Sequence, residues 1–146
     1  MGGRARRDAT KPIRQMILVD TSVWIDFLEG GTHWSKERLK EYILDGESIA
    51  YTDIILLEIL QGVRERKDRE RIELDFEPFL LLESKRSTIR LAAGIYQDLQ
   101  RKGIRIRSSI DCLIAAVAIE TGAIVLHKDR DFDFIARHYP LVTVER

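Results

Sequence analysis

Strand-like and helix-like segments take turns along this chain. That alternation predicts an α/β fold with a short, mainly parallel central sheet covered on both faces. Three observations carry the expectation. Short apolar runs recur at residues 17–20, 48–51, 79–82 and 123–127. The segments between them begin with cap-forming residues and stop at glycine or proline. No internal repeat or low-complexity linker interrupts the series.

The elements follow in order. Residues 17–20 form a first apolar strand ending in Asp20. A brief helix over 23–28 is closed by Gly30-Gly31. Ser35 is placed to cap a second helix through about Leu44, with Trp34 as the apolar residue before it. After the strand at 48–51, Thr52 or Asp53 caps DIILLEILQG, which is apolar almost all round and therefore expected to be buried. The charge-rich stretch 64–77, with RERKDRER at 64–71, reads as a helix with a solvated face, stopped by Pro78. A third strand at 79–82 precedes a long helix from Ser87 to about Lys102, ended by Gly103. Residues 108–121 form another helix with Gly122 at its C-terminal cap. The strand at 123–127 is the clearest in the chain. A short helix (about 132–138) and a last strand at 141–144 finish it.

Composition narrows the function classes. The 146 residues suit one compact domain, expected to span 16–146, with 45% apolar and 33% charged content. Formal net charge is zero, so an anionic partner must be held by a local patch. One cysteine, Cys112, excludes an internal disulfide and fits a cytoplasmic chain. Residues 1–15 are basic and lack an apolar core, so they read as a disordered extension and not as a signal peptide. Asp20 and Asp26 break the apolar segment that follows, which argues against a membrane span.

Topology then brings distant carboxylates together. In a parallel α/β sheet, strand C-termini and crossover-helix N-termini share one edge, where such folds bind ligands. Asp20 ends the first strand, Glu58 lies two turns into the helix after the second, and Asp111 opens the helix before the strand at 123–127. Asp129 and Asp131 follow that strand. Each has a structural account as well: Asp20 and Asp129 as helix caps, Asp111 in a capping box with Ser108, Glu58 paired with a buried arginine. Asp133 reads as a solvated charge. Two carboxylates about 4 Å apart repel by about 4 kcal/mol at an effective dielectric of 20, so a cluster needs cations. Oxygen ligands without His or Cys select Mg²⁺ or Mn²⁺, one ion or two, which suits water activation and in-line attack on phosphate. His33 and His138 read as surface loop residues, and His127 as a packing group beside the cluster. Ser22 is placed either to support a carboxylate or to cap. Arg101, Lys102, Arg105 and Arg107 precede Asp111 and offer a phosphate-backbone contact or a plain solvated loop.

The stretches MILVDTSVWIDFL (16–28), TDIILLEILQG (52–62) and SSIDCLIAAVAIETGAIVLHKDRDFDFIA (108–136) resemble, in that order, the motifs of PIN-domain ribonucleases. More narrowly, they resemble VapC-type toxins of bacterial or archaeal toxin–antitoxin pairs. The resemblance implies a three-layer α/β/α sandwich and a Mg²⁺- or Mn²⁺-dependent endoribonuclease. It also implies a homodimer and a VapB-type antitoxin partner whose C-terminal segment lies over the active site. It maps the family's acids onto Asp20, Glu58, Asp111 and the DRDF stretch, where Asp131 is the better match and Asp129 is acidic too. The hydroxyl after the first acid maps onto Thr21 or Ser22, with Ser22 preferred. Arg105 and Arg107 stand as the RNA-contacting pair. Two rival readings remain at this point: a phosphotransfer domain with strand-end acids, which lacks the Asp-x-Asp of dehalogenase-like enzymes, and a non-catalytic binding module on the same scaffold.

Overall fold

The structure is a computed structural model that describes residues 15–146. The basic extension expected over 1–15 lies, apart from Gln15, outside the described residues. Chain order is β1 (Met16–Val19), α1 (Thr21–Glu29), α2 (Trp34–Leu44), β2 (Ser48–Thr52), α3 (Asp53–Gln61), α4 (Arg66–Phe76), β3 (Leu80–Leu82), α5 (Arg86–Arg101), α6 (Ser109–Thr121), β4 (Ile124–Leu126) and α7 (Arg130–Ala136).

The four strands are parallel in the order β3-β2-β1-β4, with Leu18 opposite both Ala50 and Val125. β1 is central, and Ile17, Leu18 and Val19 are buried, as an inner parallel strand requires. From β1 the chain steps outward through β2 to β3, then crosses the whole sheet to β4. Right-handed crossovers put α1–α4 on one face and α5–α6 on the other. The reversal of direction falls between β1 and β4, which makes the crevice beyond their C-terminal ends the switch point of the sheet.

Packing supports that frame. On one face the Trp24 ring of α1 lies 4.7 Å from Phe76 and 5.4 Å from Phe79 between centroids, tying α1 to the end of α4. On the other, α6 buries the unbroken run Ile114 to Ala118. The hydroxyls of Ser87 and Thr88 at the start of α5 donate to Glu120 near the end of α6. The two helices are therefore antiparallel, and the C-terminal turn of α5 shares the sheet edge with the first turn of α6.

Several expectations need correction. α1 begins at Thr21 because Asp20 caps it. His33, not Ser35, caps α2: its Nδ1 accepts from Ser35 N, and Ser35 is buried inside the helix. The charge-rich helix is shorter than 64–77, and α5 starts one residue before Ser87. α7 starts two residues before Phe132 because Asp129 supplies the cap. The last strand reduces to one parallel bridge, Val125 to Thr143. α3 is not buried all round: Ile55 and Ile59 are, but Leu57 is 55% exposed. Among the described residues nothing packs over its outer face, so only one stripe meets the core. Among the described residues no helix is long and apolar enough to cross a membrane.

Candidate metal centre

Asp20 follows β1 into the switch crevice, where its backbone N–H donates to Leu126 O across to β4 at 2.9 Å. Its side chain caps α1. Oδ2 accepts from Ser22 Oγ at 2.6 Å and from Ser22 N at 3.3 Å. Cap and site residue are thus one group. Asp20 is 5% exposed, and burial raises its pKa against the lowering effect of the Ser22 bonds. Glu58, half-buried on α3, accepts from Thr21 Oγ1 at 2.9 Å through Oε1. No buried arginine pairs with it among the described residues; a threonine hydroxyl does that work. Both hydroxyls after Asp20 are therefore used, Ser22 on Asp20 and Thr21 on Glu58.

A second group gathers on the other side. Asp111, Asp129 and Asp131 each bring an oxygen within 4.8 Å of the others. Ser108 caps α6 through Ile110 N, and no bond from Ser108 N to the Asp111 carboxyl closes a capping box. The Asp111 carboxyl is free to face its acidic neighbours. Burial, then the charges of Asp20, Asp129, Asp131 and Glu58 in that order, push its pKa up to about 8. Asp129 caps α7 by accepting from Asp131 N at 2.9 Å. Asp131 is fully buried: Oδ2 accepts from Arg107 N at 3.0 Å, while Oδ1 has no hydrogen-bond partner. A buried carboxylate oxygen left without a donor costs on the order of a few kcal/mol. A cation is the ligand that would satisfy it.

The donor set fits a hard divalent ion: carboxylate oxygens, no thiolate and no imidazole facing them. Cys112 is buried inside α6. His127 packs on Phe132 with centroids 4.9 Å apart, and its Nδ1 accepts from Asp129 N at 3.1 Å. Burial lowers the His127 pKa. The neutral ring then carries its proton on Nε2, which lies 3.5 Å from Asp133. This ring orients the Asp129 backbone.

The five sequence-predicted carboxylates lie at one sheet edge, in two groups. Asp111, Asp129 and Asp131 converge; Asp20 and Glu58 flank them and act on Asp111 through their charge. Arg107 touches the site with its main chain, and its side chain is exposed. Exposed Arg105 lines a cleft of about 360 Å³ with Tyr96, Gln100, Gly103, Ile104 and Ile106. Tyr96 and Gln100 were not foreseen, because only the antiparallel turn of α5 onto α6 brings them to this edge. A larger cleft of about 450 Å³ between α1, α3 and α4 is lined by Ile25, Leu28, Ile59, Val63 and Ile72 together with the charged Glu29, Glu58, Asp68, Arg71 and Asp75.

A switch-point crevice ringed by acids at strand ends and on the first turns of helices defines a class of α/β domains, and comparison identifies the family. A model of the PIN domain matches residues 17–138. The chain is 38% identical over 125 residues to Ribonuclease VapC11 of Mycobacterium tuberculosis, covering 84% of this chain and 92% of that protein. It is 35% identical over 119 residues to Ribonuclease VapC51 of the same organism, covering 82% and 84%. The structure of VapBC2 from Rickettsia felis bound to a promoter DNA fragment aligns with TM-score 0.71 at 16% identity, over 89% of this chain and 98% of that one. The chain therefore belongs to the PIN-domain family, and within it to the VapC ribonucleases.

Proposed function

We propose that the protein is a cytoplasmic endoribonuclease that hydrolyses RNA phosphodiester bonds with Mg²⁺ or Mn²⁺ and acts as the toxin of a toxin–antitoxin pair. The buried, unpartnered Oδ1 of Asp131 beside Asp111 and Asp129 carries this reading. Asp111, Asp129 and Asp131 would hold the cation directly. Asp20 and Glu58 complete the negative rim, with Ser22 and Thr21 fixing their rotamers. When bound, the ion supplies acidification of water and neutralisation of phosphate charge. The protein's own part is orientation. Helix caps at Asp20 and Asp129 fix both sides of the crevice, and the Arg107 main chain holds Asp131.

RNA would approach along the end of α5 and the loop before α6, where Arg105 and Arg107 offer phosphate contacts. Tyr96 and Gln100 line a cleft of a kind that suits an unstacked base. The cleft between α1, α3 and α4, with apolar and mainly acidic lining residues, suits the C-terminal segment of a VapB-type antitoxin, which would there meet Glu58. Exposed Ile89, with Ala93 and Leu113, on the α5–α6 face suits a homodimer contact. Family membership favours this reading over the phosphotransfer domain and the non-catalytic module.

The test is cleavage of a synthetic RNA by partner-free protein with Mn²⁺ or Mg²⁺. Activity should vanish with a chelator and fall steeply in Asp131→Asn. Cleavage that survives chelation would overturn the metal assignment.

A further inference from the structure

Lys128 stands between His127 and Asp129, one residue from the acidic cluster, and its flexible four-carbon stem carries a mobile positive charge. Its Nζ lies 2.7 Å from Oδ2 of Asp26, on the second turn of α1, which holds it there. The Asp26 side chain is only 15% exposed. Gly31 explains how it stays there. A Cβ on Gly31 would sit 2.5 Å from the Asp26 carboxyl carbon and from Oδ1. Gly31 N and Gly30 N both donate to Asp26 O, at 2.9 and 3.0 Å, which fixes the turn against that side chain. The bare glycine thus leaves the space that the Asp26 carboxylate fills, and the carboxylate holds Lys128.

We infer that Gly31 and Asp26 form a latch that keeps the Lys128 ammonium out of the acidic crevice, preserving its affinity for a divalent cation. Asp26 and Gly31 are positioning residues; neither joins the metal-competent trio. Released from Asp26, the ammonium, which lines one cleft with Asp129 and Asp133, would be free to compete with the cation for the acidic crevice. The inference rests on the metal reading given above.

Mn²⁺ binding to the full chain, measured by titration calorimetry at low salt, tests it without reference to cleavage. Asp26→Ala and Gly31→Ala should each weaken binding by about three- to tenfold. Lys128→Met alone should bind as the wild type does or more tightly. The double variants D26A/K128M and G31A/K128M should recover to within about twofold of K128M. Thermal melting of each variant checks that it folds. Wild-type affinity in D26A, or equally weak binding in D26A and D26A/K128M, would overturn the latch. The second result would mean that Asp26 only supports the local structure. If the wild type takes up no Mn²⁺, the metal reading itself fails and the latch with it.

Discussion

The two sides of the acidic crevice are built from the same residue types and left in opposite states. On the α1–α3 side every carboxylate has a hydroxyl partner: Ser22 for Asp20, Thr21 for Glu58. On the α6–α7 side Asp131 keeps one buried oxygen unpartnered, and Asp111 is raised to about 8 by burial and by the acids around it. Internal hydrogen bonds settle one side. The other keeps a buried carboxylate oxygen without a donor. That difference predicts an order of importance: the unsatisfied side holds the ion, and the satisfied side tunes it.

Substitutions can break that ordering. Asp131→Asn should have the largest effect, a loss of at least about a hundredfold in RNA cleavage, since even groups outside a ligand set cost about 10- to 100-fold. It should also lower Mn²⁺ affinity in a direct titration. Glu58→Gln keeps the Thr21 bond and removes a flanking charge; it should lower cleavage about tenfold while leaving most Mn²⁺ affinity intact. Equal losses in the two variants would erase the distinction between the sides. Arg105→Ala and Arg107→Ala should weaken RNA binding by a few-fold each. Each should also reduce the slope of log affinity against log salt by about 0.7, the single-strand value per phosphate contact. Metal affinity should not change.

The smallest effect sharpens the comparison through pH. A carboxyl with a folded pKa above its unfolded value stabilises the fold below the unfolded pKa and loses that contribution as pH rises through the folded one. For Asp111 the window runs from about 4 to about 8. Metal-free protein should therefore melt lower at pH 8.5 than at pH 5, by about 2–6 °C after allowance for solvent screening. Asp111→Asn should flatten that slope, and Mg²⁺ should restore the loss. A slope unchanged in the variant would place the pH dependence elsewhere.

Much of this architecture was legible from residue order, because cap residues, glycine stops and short apolar runs are local signals. The sheet edge that gathers Asp20, Glu58, Asp111, Asp129 and Asp131 follows from topology alone. Three things were not legible. The burial of α3 depends on what covers its outer face, and among the described residues nothing does, so its apolar sequence overstated its burial. The division of five acids into a convergent trio and a hydroxyl-bonded pair depends on rotamers that spacing does not encode. The 141–144 strand is a matter of degree: Val142 O and Val144 N do bond Val125, but no second residue extends the ladder.

Cys112, buried next to Asp111 in the first turns of α6, offers a native probe of this crevice. Burial, with Asp111 and Asp131 beside it, pushes the thiol up to about 11, so at neutral pH it is protonated and shielded from alkylating reagents. Whatever lets iodoacetamide in must first lift the start of α6, taking Asp111 along. The rate of labelling at that sulfur, followed by mass spectrometry, is thus a clock for how often the acidic crevice comes apart. Ions, RNA or a protein inhibitor seated over the crevice should each slow it.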